Sequence, residues 1–261
     1  MIDGVSPDLP RTDDLPAGRE WSLRVVKRLA ALVLRTWWRV QVHGSEHIPA
    51  HGPVILAANH IGTLDGPAVV ALTRRLTFAL GKQELFEGLG GRVLDHIGQI
   101  SVNRHELDAK AIRRCLQVLR ASKVLAVFPE GVRLAGDVIS AKGGAAYFAL
   151  VTGAPVVPVA ILGTREPGQT KSQMPARGRP IHLVFGEPIP VNQRPWPRRK
   201  QDVAELTEQL RQQLAAHVVA AQVLTGLPLP GPPKPKTVAN PTPQLPGRRH
   251  APPEFRAKNH D

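Results

Sequence analysis

The sequence predicts an α/β fold in which a central mixed sheet is covered by helices. Short apolar runs alternate with longer amphipathic segments between residues 54 and 222, the order expected of strands and helices packed in layers. Two of the runs break directly into polar or Pro-Gly loops, at Asn59-His60 and at Pro129-Glu130-Gly131. The chain has 261 residues, 42% of them hydrophobic, enough to bury the core of one such domain with extensions at both ends.

The elements follow in order. Residues 1–19 are polar and proline-bearing, with no apolar stretch of the kind that opens a secretory signal, and are expected to be disordered. Residues 20–41 are expected to form an amphipathic helix. On a wheel, Arg24, Lys27, Arg28, Arg35 and Arg39 fall in one arc. Leu23, Val25, Val26, Leu29, Leu32, Val33, Leu34, Trp37 and Val40 fill the rest, with Trp21 and Trp38 at the borders. Such a helix either lies in a membrane interface or packs on the core with its basic face in water.

The globular domain is expected over 42–225. Residues 54–58 read as a strand, 67–75 as a helix with proline in its first turn, and 77–80 as a strand. A short alternating strand runs from Gly98 toward Arg104. Residues 108–121 form an amphipathic helix with Ile112, Cys115, Leu116 and Leu119 on one face. Residues 124–128 are a strand. Residues 144–152 are a helix stopped by Gly153. Residues 156–162 and 181–185 are strands, and 202–222 a closing helix. Pro158 confines its strand to an edge or a bulge. The strand lines an acyl channel or simply fills the core. Residues 226–261 carry Pro-Pro pairs and scattered basic residues, and are expected to be a disordered tail.

The formal net charge is +13, which calls for an anionic partner: nucleic acid, an anionic membrane surface or a phosphorylated substrate. Aromatic residues are only 4% and no nucleic-acid module is apparent, so no specific nucleic-acid partner is expected. The longest aliphatic stretch near the N-terminus, 29–34, is too short to span a bilayer, so membrane contact is expected to be peripheral, on the cytoplasmic face. The lone Cys115 excludes an internal disulfide. His43, His47 and His51 are close in sequence but lack the cysteine or acidic pattern of a zinc site, and no metal is expected. Gly88-Leu89-Gly90-Gly91 matches no dinucleotide fingerprint.

Four blocks carry candidate chemistry. In Asn59-His60-Ile61-Gly62-Thr63-Leu64-Asp65, His60 is a candidate base near neutral pH. Asp65 can fix its tautomer if the chain turns at Gly62; alternatively Asp65 only caps the following helix. In Gly98-Gln99-Ile100-Ser101-Val102-Asn103-Arg104, Arg104 either grips a phosphate through its planar fork or pairs at the surface with Glu106 or Asp108. In Phe128-Pro129-Glu130-Gly131-Val132-Arg133, Glu130 can accept from substrate hydroxyls, Arg133 can hold a phosphate oxygen, and Gly131 allows close backbone approach; a strand-ending turn with a solvated ion pair reads the same. The fourth is Val157-Pro158-Val159-Ala160-Ile161.

Their order and spacing resemble the glycerolipid acyltransferase superfamily, in particular the 1-acyl-sn-glycerol-3-phosphate acyltransferases, with NHxxxxD, GxxxxxR, FPEGTR and a VPV-type strand. The resemblance covers residues 42–187, and Lys142-Gly143-Gly144-Ala145-Ala146 also looks like that family. Val132 departs from it, standing where threonine is usual. The resemblance implies a glycerolipid-acyltransferase-like fold and transfer of an acyl group from a thioester to a hydroxyl. It implies that His60 deprotonates the acceptor, with Asp65 orienting it and no covalent nucleophile, so that Cys115 belongs to the core. It further implies that Arg104 and Arg133 hold the acceptor phosphate and Glu130 binds its glycerol part, with Lys82 a further phosphate candidate. The co-substrate is then acyl-CoA or acyl carrier protein, no cofactor is needed, and the acceptor is a lysophospholipid giving phosphatidate, or alternatively glycerol 3-phosphate or another lysolipid. Backbone amides near Gly62 or Gly131 are the candidates for oxyanion stabilisation.

Overall fold

The structure is a computed structural model that describes residue 12 and residues 20–103, 108–195 and 198–235. It contains a seven-stranded mixed sheet with helices on both faces. In chain order the elements are α1 (Glu20–Trp37), β1 (Arg39–His43), β2 (Val54–Ala58), α2 (Asp65–Leu72), β3 (Thr77–Lys82), α3 (Gly88–His96), β4 (Ile100–Val102), α4 (Ala109–Arg120), β5 (Val124–Val127), α5 (Gly144–Thr152), β6 (Val156–Leu162), β7 (Pro180–Phe185) and α6 (Lys200–Thr225). The sheet order is β1-β7-β6-β2-β5-β3-β4. β2, β3, β4, β5 and β6 run parallel, while β7 is antiparallel to β6 and carries β1 parallel to itself.

Alternation along each strand divides the core into two layers. Ile55, Leu125, Val156 and Ala160 point toward α4, α5 and α6. Val54, Leu56, Ala126, Val157 and Ile161 point toward α1 and α2. Every residue of β2, β5 and β6 is buried, as strands covered on both faces must be. Cys115 is fully buried in the first layer, and burial drives its thiol strongly upward. It is core.

Pro158 sits in an interior strand, and the bulge that the sequence called for is present. Between the Val156–Ile189 bridge and the Val159–Phe185 pair, β6 advances three residues and its partner four. The extra residue falls opposite Pro158, whose carbonyl accepts from Gly186 N at 2.9 Å. A residue without an N–H costs no ladder bond there.

Several boundaries move. The helix expected to reach residue 41 ends at Trp37, because Trp38 turns into the core and Arg39 N bonds to Arg179 O at 3.0 Å, starting β1 beside β7. α2 starts at Asp65 rather than Pro67. The glycine-rich stretch opens α3, a helix the sequence did not announce. His43 lies in β1 and stacks on His182, and His47 bonds to Phe185 O and pairs with Glu187. The tail is not free from residue 226 onward: residues 226–235 lie against the body, with Pro230 buried and Lys234 N bonded to Gln169 O at 3.1 Å. The rest of that tail, and the lead apart from Thr12, lie outside the described residues. Thr12 is buried against α4, its hydroxyl accepting from Arg120 Nη1 at 2.7 Å.

α1 packs on the core along one side and leaves an apolar face exposed along the other. Leu23 and Leu34 are buried, and Ala30 and Ala31 pack beside Leu34 against α2. Trp21, Val25, Leu29, Leu32, Val33 and Trp37 stay exposed, between 47% and 64%. Arg24, Arg28 and Arg35 are exposed beside them. Lys27 leaves the basic arc. Its ammonium donates to Thr73 O and, at 2.6 Å, to Arg75 O, carbonyls left open where α2 ends. Arg39 leaves it too, its Nε donating to Gly178 O at 2.9 Å. Lys27→Met should therefore lower the free energy of urea unfolding by ~1–3 kcal/mol, the cost of stranding partly buried acceptors; an unchanged midpoint would show that water replaces the ammonium at no cost.

Candidate active site

Strand polarity decides where a site can form. β2, β5, β3 and β6 deliver their carboxyl ends to one edge of the sheet. The chain leaves β2 toward β3 and leaves β5 toward β6, in opposite directions. The loops after β2 and β5 therefore cross toward one another and meet at the crevice outside the carboxyl ends of these two strands, the edge at which open α/β sheets bind ligands. His60 follows β2 and Glu130 follows β5.

The loop 59–65 is built around the Asp65 carboxylate. Asp65 has no exposed surface. Its Oδ2 accepts from His60 Nδ1 at 2.7 Å, Ile61 N at 2.7 Å and Gly62 N at 2.8 Å, and its Oδ1 accepts from the Thr164 hydroxyl. The carboxylate thus folds the loop back on itself. It makes no cap bond to α2, so the cap alternative falls. Gly62 serves by closeness rather than by a left-handed turn: a Cβ there would lie 2.4 Å from Thr164 O. Asn59, fully buried, ties the end of β2 to β6, accepting from Ile161 N at 2.7 Å and donating to Ile161 O at 3.2 Å.

With Nδ1–H given to Asp65, the lone pair of His60 lies on Nε2. The imidazole is partly exposed and lies with its ring centroid 4.4 Å from that of Phe128. A neutral histidine held in this tautomer can take a proton from a hydroxyl and return it to a leaving group.

Glu130 reaches the same loop from the other side. Its Oε1 accepts from His60 N at 2.8 Å, and its Oε2 is buried with no protein partner. Burial foremost, with the nearby Asp137 and Asp65 charges adding, pushes this carboxyl up to about 7 against the bond from His60 N. Arg133 joins the cluster through Thr63, its Nη1 donating to Thr63 Oγ1 and to Lys171 O, each at 2.7 Å. Gly131 N closes the turn onto Phe128 O at 2.9 Å, and the end of the Lys142 side chain packs against its α-carbon. The room expected for a ligand beside Gly131 is therefore taken by Lys142. Both amides considered for the oxyanion are engaged, Gly62 N with Asp65 and Gly131 N with Phe128.

His60, Asp65, Glu130, Gly131 and Arg133 thus converge. Lys82 ends β3 at the same sheet edge, two strands from β2, with its ammonium 3.8 Å from Glu84. Arg104 lies outside the described residues. Among the described residues no group of three or more His, Cys, Asp or Glu is placed to hold a metal ion. Thr164, Arg165 and Lys142 are absent from the expected set. The first two follow the apolar strand 156–162 directly, and a strand end is the one signal that marked them.

The raised Glu130 carboxyl has a consequence for stability. Its proton is held more tightly in the folded than in the unfolded state, so ionisation opposes folding increasingly from pH 4.5 up to about 7. Glu130→Gln keeps an oxygen for His60 N and removes the charge. Its stability advantage over wild type should be near zero at pH 4.5 and grow toward ~3 kcal/mol as an upper bound above pH 7. Urea melts at pH 5 and pH 8 measure it; a constant difference would show that Glu130 is ordinary.

Residues 39–162 match the family model Acyltransferase. A 1-acyl-sn-glycerol-3-phosphate acyltransferase of Bacillus subtilis is 28% identical over 177 residues, 67% of this chain and 86% of that one. One of Borreliella burgdorferi is 34% identical over 131 residues, 48% of this chain and 52% of that one. The crystal structure of the 1-acyl-sn-glycerophosphate (LPA) acyltransferase of Thermotoga maritima superposes with a TM-score of 0.57 at 24% identity, covering 76% of this chain and 80% of that one, a likeness of fold. The chain spans about half the length of the Borreliella relative and of a chloroplast relative from Arabidopsis thaliana. The residues that match the acyltransferase family model contain the whole 59–65 loop, Glu130 and Arg133, so the site described above lies inside the stretch that is similar to that family.

Proposed function

We propose that the protein transfers a fatty acyl group from a thioester, acyl-CoA or acyl carrier protein, to the free hydroxyl of 1-acyl-sn-glycerol 3-phosphate, giving phosphatidate. The observation that carries the proposal is His60, held through Nδ1 by a fully buried Asp65 at the mouth of the β2/β5 crevice. Nε2 takes the hydroxyl proton as the oxygen attacks the thioester carbonyl. The tetrahedral adduct collapses, the C–S bond breaks, and the imidazolium returns the proton to the departing thiolate. Asp65 stabilises the imidazolium while it exists. Neither a serine nor a cysteine intermediate is required.

Arg133 and Lys82 are the described cations for the acceptor phosphate, with Arg104 proposed on sequence alone. Glu130 fixes the His60 backbone through one oxygen and offers the other to the glycerol part. Mass-spectrometric product analysis with acyl-CoA and acyl carrier protein against a panel of lysolipids and glycerol 3-phosphate tests the substrate class. His60→Ala should reduce turnover by ~10²–10⁴-fold with the circular-dichroism spectrum unchanged. Arg133→Ala should raise the acceptor KM well above its effect on the donor KM, with Arg133→Lys intermediate because it lacks the planar fork. Normal turnover by a folded His60→Ala protein would remove the base from the mechanism.

The acceptor is an anionic amphiphile, and the exposed face of α1 suits the surface that holds it. No helix among the described residues is long and apolar enough to cross a membrane. The exposed tryptophans and aliphatics of α1 beside Arg24, Arg28 and Arg35 support peripheral binding to anionic lipid, each arginine adding ~1 kcal/mol near the surface. The proposed location is peripheral, on the cytoplasmic face of the membrane. Deleting α1 would uncover the pocket that Leu23 and Leu34 fill, so surface changes are the proper test. Leu29→Glu with Leu32→Glu should release the protein from anionic vesicles and spare transfer to a soluble short-chain acceptor. Sedimentation of the double variant with vesicles as efficiently as wild type would move the anchor elsewhere.

A further inference from the structure

Arg165 is the largest of the fully buried side chains, 1% exposed. A buried guanidinium is expected to face a carboxylate, yet this one spends its donors on backbone carbonyls from separate segments. Nε donates to Ile61 O at 2.7 Å. Nη2 donates to Leu134 O at 2.7 Å and Gly231 O at 2.5 Å, and Nη1 reaches Gln169 O at 3.4 Å. The segments are the His60–Asp65 loop, the chain after Glu130, the loop after β6, and the C-terminal stretch beyond α6.

The Ile61 residue joins this cation to the site. Its C=O accepts from Arg165 while its N–H donates to Asp65 Oδ2 at 2.7 Å. Burial pushes the guanidinium below its ordinary value, and the Asp65 charge opposes that push. Residue 164, next in the chain, gives its hydroxyl to the other Asp65 oxygen. One dipeptide, Thr164-Arg165, therefore holds the carboxylate and the turn beside it.

The C-terminal stretch is fixed onto the same place. Leu229 N bonds to Gln222 Oε1 at 3.0 Å, and the Leu229 side chain packs on the core layer under α6. Gly136, at φ +89, is pressed between Ile61, Asn59 and Leu229: a Cβ there would lie 2.2 Å from Ile61 Cγ2, 3.0 Å from Asn59 Nδ2 and 3.2 Å from Leu229 Cδ2. Gly231 then accepts from Arg165, and Lys234 bridges to Thr170.

We propose that Arg165 is a positioning residue that locks the 59–65 loop to a C-terminal strap, residues 227–235, so that the strap is part of the machinery that holds His60 in place. The inference deepens the proposed function and rests on it for its kinetic arm alone. Arg165 touches no reacting atom. It fixes the Ile61 peptide, the Ile61 peptide fixes Asp65, and Asp65 fixes the imidazole. A loop displaced by an ångström costs rate more than affinity, because the loop carries the base while Glu130, Arg133 and Lys82 lie on other segments, Arg133 tied to Arg165 only through the neighbouring Leu134 O.

The test uses the full chain and two variants, Arg165→Gln and Leu229→Ala. Hydrogen–deuterium exchange is followed at 61–66, 229–235 and, as an internal reference, 124–127. In Arg165→Gln, exchange should quicken at the first two segments together and stay unchanged at the third. Its kcat should fall ~10²-fold with both KM values within ~3-fold of wild type, and Arg165→Lys should recover part of it. Leu229→Ala keeps the guanidinium and loosens the strap, so it should show the same paired change, smaller, even if Arg165→Gln fails to fold. Quicker exchange at the strap alone with kcat intact, or equal quickening at all three segments in Leu229→Ala, would overturn the proposal. A wild-type chain that transfers no acyl group from any donor would sink the functional reading while the exchange data still decided whether strap and loop are coupled.

Discussion

A carboxylate without solvent contact must be surrounded by donors, and Asp65 obtains all of its protein donors from the chain it organises. Two are the amides of Ile61 and Gly62, one is His60 Nδ1, and one is the Thr164 hydroxyl. A charge left unpaired at that depth would cost several kcal/mol. The same bonds that satisfy it curl the loop, set the histidine tautomer and pin β6 against β2. Removing any one of these partners degrades the others, so the folding requirement and the chemical requirement at this site are one constraint. The close approach at Gly62, where a Cβ would meet Thr164 O, follows from it.

Glu130 shows the opposite use of burial. One of its oxygens is satisfied by His60 N and the other is left without a protein partner, and the carboxyl rises to about 7. Two carboxyl groups that both bond to His60 thus sit in different surroundings: donors from several directions surround Asp65, while Glu130 has one. Separation of this kind is what lets neighbouring carboxyl groups serve different ends. On the proposed function, the second Glu130 oxygen, buried and without a protein partner, accepts from a hydroxyl of the bound acceptor.

The layers and most strands were legible because both signals were local. Apolar runs at 54–58, 124–127 and 156–162 read as strands and are strands covered on both faces, and Gly153 does stop its helix with φ +69. The His60–Asp65 pair was legible only as two alternatives. A spacing of five does not say whether the carboxylate turns back to the histidine or forward to a helix, and the deciding donors, Ile61 N and Gly62 N, are amides that sequence does not display. Arg165 was invisible for the same reason: its acceptors are carbonyls, which every residue has. Lys27 read as one more member of a basic face, because the end of α2 that it covers is distant in sequence. Residues 226–235 were misread from composition: their prolines suit an extended segment as well as a disordered one, and Leu227 and Leu229 betray that this part has something to bury.

The arrangement of the loop 166–178 connects these pieces physically. At one end Gln169 O meets Arg165, and Lys171 O accepts from Arg133 and from Thr63 at the mouth of the crevice. At the other, Pro175 O accepts from Trp38 Nε1 at 3.2 Å, Gly178 N donates to Trp37 O at 2.8 Å, and the Arg177 guanidinium lies 4.8 Å over the Trp37 ring. A single loop therefore touches both the candidate phosphate cation Arg133 and the C-terminal end of α1, whose exposed face carries the apolar residues. On the proposed function, the acceptor keeps its chain in a lipid layer and presents only its headgroup, and the candidate lipid-facing surface and the candidate phosphate cation are then tied to one short segment, which keeps the distance between them fixed.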